Sequence, residues 1–83
     1  MSYYTYILES ESSGILYIGS TNNLDDRLQR HNTGRNRYTK NRGPWKLIYH
    51  QILTSRADAV QLERHLKSMK SKTRLLHWID SNK

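Results

Sequence analysis

The chain opens on an aromatic and β-branched run, Tyr3 to Glu9 (YYTYILE), breaks at Ser10 to Gly14 (SESSG) and turns apolar again at Ile15 to Ser20 (ILYIGS). Two such runs around a short polar stretch predict a β-hairpin with a loop of about four to five residues. Thr21, Asn22 and Asn23 then offer N-cap oxygens, and Asp25 and Asp26 suit the positive end of a helix. Leu24, Arg27, Leu28 and His31 recur at i, i+3, i+4 and i+7, so the spacing predicts a helix from about Leu24 to Asn32 that stops near Gly34. From Trp45 to Leu53 the chain alternates, with Trp45, Leu47 and Tyr49 on one side and Lys46, Ile48 and His50 on the other, the period of a third strand. Ser55, with Asp58 three residues on as an approximate capping box, opens a second helix. Its apolar stripe of Ala59, Leu62, Leu66 and Met69 runs to about Lys70. A last amphipathic stretch, Thr73 to Asp80, carries Leu75, Leu76, Trp78 and Ile79 and predicts a short closing helix. The order β-β-α-β-α-α belongs to the α/β class in its α+β form, a small, at least partly antiparallel sheet with helices packed on it.

With 83 residues the chain has room for one domain, 1–83, and one core, because a chain this short buries only about 60% of the surface its unfolded form exposes. Cysteine is absent, which removes disulfides, thiolate zinc sites, iron–sulfur clusters and cysteine nucleophiles together. No run approaches the ~18 apolar residues that span a bilayer, and Met1-Ser-Tyr-Tyr leads straight into patterned sequence, so a cytoplasmic protein with no membrane partner is expected.

Charge changes the picture further. Fourteen Lys and Arg against seven Asp and Glu leave +7, which makes a polyanion the first partner to consider. Residues 34–44 (GRNRYTKNRGP) gather Arg35, Arg37, Lys40 and Arg42 around Tyr38, a basic loop whose one aromatic ring can stack on a base.

Within this frame a few residues can carry chemistry. Tyr6 and Tyr17 fall on neighbouring antiparallel strands, where two phenols converge on one face; sheet packing is the competing explanation. Arg27 and His31 are i, i+4 beside Leu24 and Leu28, which turns a guanidinium towards the sheet edge. Phosphate would account for it, as would snorkelling over the sheet edge or a pairing with Asp26. Glu63 sits at the margin of the second helix's apolar stripe. It can hold one divalent cation if substrate phosphates and water complete the shell, or simply bridge to Lys67 at i+4. His50, His65 and His77 lack metal-ligand spacing, and the serines lack His–Asp partners.

Taken together, Tyr4-Thr5-Tyr6, then Tyr17-Ile18-Gly19-Ser20-Thr21, then Arg27, His31 and Glu63 resemble the GIY-YIG endonuclease superfamily, and in particular its short stand-alone bacterial members. YTYIL (4–8), LYIGSTNNLDDRLQRHN (16–32), YTKNRGPWKLIY (38–49) and ADAVQLERHLK (57–67) carry the likeness. The resemblance implies a three-stranded antiparallel sheet flanked by helices, and metal-dependent hydrolysis of DNA phosphodiester bonds, with RNA the alternative polymer, in repair or recombination. It implies Tyr17 as general base or water-orienting phenol, Tyr6 beside it, Arg27 on the developing phosphate charge, and His31 and Tyr38 assisting. Glu63 is the implied ligand of one Mg²⁺ or Mn²⁺ ion. Arg35, Arg37, Lys40, Arg42, Lys67 and Lys70 are the expected nucleic-acid contacts, and the protein is expected to act as a monomer. Two departures stand out: the first motif reads Tyr4-Thr5-Tyr6 in place of Gly-Ile-Tyr, and the nearest Asn downstream of Glu63 is Asn82. A binding module that keeps the fold without turnover is therefore the alternative expectation. The chain carries no helix-turn-helix or zinc finger, so low sequence specificity is expected.

Overall fold

The computed structural model describes residues 2–34, 39 and 42–82. Its elements are β1 (Tyr3–Ser10), β2 (Leu16–Thr21), α1 (Leu24–Asn32), β3 (Trp45–Leu53), α2 (Arg56–Ser68) and α3 (Lys72–Ser81). The three strands form one antiparallel sheet in the order β2-β1-β3, so both later strands are edges around β1.

Each helix starts where a side-chain oxygen can replace a missing backbone acceptor. Asn23 accepts from the Asp26 N–H, Ser55 from that of Asp58 and Ser71 from that of Arg74. Of the three cap candidates before α1, Asn23 is the one used. α1 ends at Thr33, and Gly34 follows with φ 78°, the left-handed conformation that glycine adopts at little cost.

The expected single core is divided by the sheet into two layers. Ile7, Ile18, Leu66, Leu75 and Ile79 pack between the sheet and the helices α2 and α3. Tyr6, Leu8 and Trp45 pack on the other face, with Tyr17, Leu24, Leu28 and Leu47 partly buried around them, so α1 closes that side. Each fully buried Ile or Leu contributes about 1.5–3 kcal/mol, which makes Ile7, Leu8 and Leu66 the principal anchors.

One strand departs from the alternation read in the sequence. β1 pairs Ile7 with Tyr49 but Leu8 with Leu47, so Ile48 is an extra residue, a β-bulge. The bulge switches the parity of β3. Trp45 and Leu47 join the α1 layer, whereas Tyr49 packs in the α2/α3 layer with its ring 5.2 Å from that of Trp78. The expectation that Tyr49 shares a face with Trp45 is corrected accordingly.

Candidate active site

The β1–β2 register puts Tyr6 opposite Gly19 and Leu8 opposite Tyr17. Tyr6 and Tyr17 are thus diagonal neighbours on one face, with ring centroids 6.4 Å apart. Tyr6 is 1% exposed, while Tyr17 remains partly open to solvent. Across this face lies α1. Because Leu24 and Leu28 dock into the apolar layer, His31, one turn beyond Arg27, is carried in against the phenols. Its ring centroid is 4.7 Å from that of Tyr17 and 5.9 Å from that of Tyr6. His31 Nε2 is 3.0 Å from Tyr6 Oη, and Nδ1 is 2.9 Å from Thr39 Oγ1.

Burial sets the protonation of this group. It pushes the Tyr6 phenol well above its ordinary range, helped by nearby Tyr17 and opposed by the Arg27 guanidinium, so Tyr6 stays protonated. Burial, and secondarily Arg27, also pull His31 down to about 4, so its imidazole is neutral at pH 7.

Arg27 itself is unusual. Asp26, its one sequence-adjacent carboxylate candidate, pairs instead with Arg30 at 3.0 Å. Arg27 Nε is shielded from solvent and has no hydrogen-bond partner among the described residues. A cleft of about 240 Å³ adjoins it, lined also by Ser20, Thr21 and Arg56. A guanidinium held this way presents donors that an oxyanion can complete.

Glu63 approaches from the opposite face. α2 packs there, and Glu63 Oε1 accepts a 2.7 Å hydrogen bond from Ser20, the residue next to Gly19 on β2. The carboxylate therefore reaches the β2 edge from behind, while Tyr6, Tyr17, Arg27 and His31 come from in front. Oε2 accepts from Lys67 Nζ at 2.7 Å, so the i+4 bridge and the cation-holding geometry occur on the same carboxylate. Among the described residues no three His, Asp or Glu side chains cluster as metal ligands. A single carboxylate suits Mg²⁺ or Mn²⁺ when substrate phosphates and waters supply the rest. Lys67 is 54% exposed and can swing away, so the residues present fit such an ion.

Lys67 and Lys70 also line a groove of about 730 Å³ beside Tyr17, with Lys72 and an apolar floor that includes Leu66 and Leu75. Lys70 adopts φ 51° at the junction of α2 and α3. Arg42 is exposed, and its backbone carbonyl accepts a 2.6 Å hydrogen bond from the Ser10 hydroxyl. Arg35, Arg37, Tyr38 and Lys40 lie outside the described residues. Sequence reasoning missed two supports, Ser20 on Glu63 and Thr39 on His31. The second had a usable signal: a buried imidazole facing a phenol still needs a partner for its other nitrogen.

Comparison with known proteins gives one consistent result. The chain matches the family model of the GIY-YIG catalytic domain over residues 2–75. It is 40% identical to a UPF0213 protein of Oceanobacillus iheyensis over 81% of this chain and 78% of that one. It is also 40% identical to a UPF0213 protein of Syntrophus aciditrophicus, covering 95% of this chain and 91% of that one. The solution NMR structure of a UPF0213 protein from Bacillus halodurans superposes with a TM-score of 0.61 at 31% identity, over 96% of this chain and 84% of the other.

Proposed function

The chain belongs to the GIY-YIG catalytic domain family and is one of its UPF0213 proteins, and from that premise we propose that it is a metal-dependent endonuclease. It hydrolyses DNA phosphodiester bonds with low sequence specificity, as a cytoplasmic single-domain monomer serving repair or recombination. Family membership supports nuclease-type chemistry on a nucleic acid. The observation that carries the finer reading is Arg27, whose buried Nε lacks a partner among the described residues and whose guanidinium lies beside the Tyr6 phenol. A phosphate supplies the oxygens that this guanidinium is missing.

In this reading the two phenols divide the work. Tyr6 is buried and keeps its proton, so it positions; Tyr17, partly exposed, orients the attacking water through its hydroxyl. Arg27 directs its donors at the charge that builds on the phosphoryl oxygens, where prearranged donors are worth most. His31, neutral, holds Tyr6. Tyr38 assists at the same phosphate. Glu63 would hold the divalent ion, which when bound acts as a Lewis acid on a phosphate oxygen. Arg35, Arg37, Lys40, Arg42, Lys67 and Lys70 contact the polynucleotide backbone, and such contacts carry no sequence information.

One observation favours a second reading, a nucleic-acid-binding module without turnover: Lys67 already neutralises Glu63. A single experiment separates the two. Supercoiled, linear, flap, branched and single-stranded DNA, and RNA, are incubated with Mg²⁺ or Mn²⁺ and either the native protein or Glu63→Ala. Metal-dependent cutting that disappears in Glu63→Ala supports the nuclease; salt-sensitive binding with no cutting under either metal supports the binding module.

A further inference from the structure

The hydrogen bonds around His31 have a direction, and Arg27 constrains it at one end. A guanidinium only donates, and that of Arg27 faces the Tyr6 hydroxyl. The phenol oxygen can accept from Arg27, but the phenol proton needs an acceptor elsewhere. His31 Nε2, 3.0 Å away, is that acceptor. A neutral imidazole that accepts at Nε2 carries its proton at Nδ1, and Nδ1 lies 2.9 Å from Thr39 Oγ1.

Thr39 is 1% exposed, so water does not reach this contact. Its place is fixed through its backbone, independently of the hydroxyl. The Thr39 carbonyl accepts from Trp45 Nε1 at 3.1 Å. Trp45 is in turn gripped by the Asn32 side chain, which accepts from the Trp45 N–H at 2.7 Å and donates to its carbonyl at 3.2 Å. Asn32 follows His31 on α1, so the two ends of this circuit close on one helix turn.

We propose that Thr39 is a positioning residue of the site: its hydroxyl accepts the His31 Nδ1 proton, selects the Nδ1–H tautomer and so keeps Nε2 open to the Tyr6 hydroxyl. In the sequence Thr39 falls within the cationic stretch 34–44. The consequence for rate rests on the proposed nuclease reading; the tautomer is a property of the resting protein and does not.

The test uses the full chain labelled with ¹⁵N. Long-range correlation of imidazole carbon-bound protons with the ring nitrogens identifies the His31 tautomer directly. Wild type and Thr39→Ser are expected to show Nδ1–H, and Thr39→Val to shift towards Nε2–H, because an apolar methyl leaves a buried donor without a partner. In cleavage assays Thr39→Val is expected to lose kcat by roughly tenfold with KM nearly unchanged, and Thr39→Ser to recover it. A wild-type His31 protonated at Nε2, or an unshifted tautomer in Thr39→Val, overturns the proposal. Should the valine variant not fold, Thr39→Ala and the wild-type tautomer decide by the same criterion. If wild type cuts nothing, the nuclease reading fails, while the tautomer measurement still decides the role of Thr39.

Discussion

The Tyr6 hydroxyl lies against the backbone of Gly19: a Cβ at residue 19 would stand 2.5 Å from Tyr6 Oη and 2.6 Å from Cζ. Glycine is needed here for room on the β2 surface, across which the phenol lies to reach His31. Gly19→Ala must push the ring away, and overpacking of this kind costs about 1–3 kcal/mol. Urea denaturation is expected to show that loss, and cleavage to fall with it, because Tyr6 can no longer meet His31 Nε2.

Arg27→Gln is expected to separate stability from activity. The substitution gives up the contact with Tyr6 but also removes a buried Nε that has no partner among the described residues, so the unfolding free energy should stay within about 0.5 kcal/mol of wild type. The cleavage rate should fall about 10²–10³-fold, the usual cost of losing a donor aimed at transition-state charge. A parallel loss of both quantities would make Arg27 a structural residue.

Acid should destabilise the protein through His31. Its imidazole titrates at about 4 when folded, against 6.5 for an unperturbed histidine, with Tyr6, Tyr17, Arg27 and Thr39 facing it. As pH falls through 6.5 the unfolded chain takes up a proton that the native chain refuses, so stability drops until about pH 4 and then levels. Urea midpoints of wild type and His31→Gln, compared across that window, should differ in slope below pH 6.5 and run parallel above it.

Lys67→Gln is expected to strengthen divalent-cation binding, since the ammonium 2.7 Å from Glu63 Oε2 competes for the same oxygen. The ion pair is exposed on the lysine side and worth at most about 1 kcal/mol, so the gain in Mn²⁺ affinity should be no more than about fivefold. Lys72→Gln, which frees Glu9 from a 3.2 Å contact, is the matched control and should leave Mn²⁺ affinity unchanged.

Features written in neighbouring residues were legible in advance. Caps, helix stripes and the common face of Tyr6 and Tyr17 depend on spacings of two to four residues along one element or one hairpin. The Ile48 bulge was not legible, because alternation continues unbroken through WKLIYHQIL and only pairing with β1 shows where a residue is surplus. Glu63 was legible as a residue but not as an environment. Its bond to Ser20 spans 43 positions and exists only once α2 lies on the sheet. Thr39 was hidden for a related reason: it is a small polar side chain in a basic stretch with no period, and its burial is decided by His31 and Trp45.

β2 is an edge strand of its sheet, and the phenols, Arg27 and the Glu63 carboxylate meet along it from the two faces. A centre placed on a rim is approached sideways. In the proposed reading a polymer need not be threaded by its end; a bond in the middle of the strand can be laid against the rim wherever the backbone bends towards it. A covalently closed circle is then as admissible a substrate as a short linear fragment, which is the topological requirement for cutting internally.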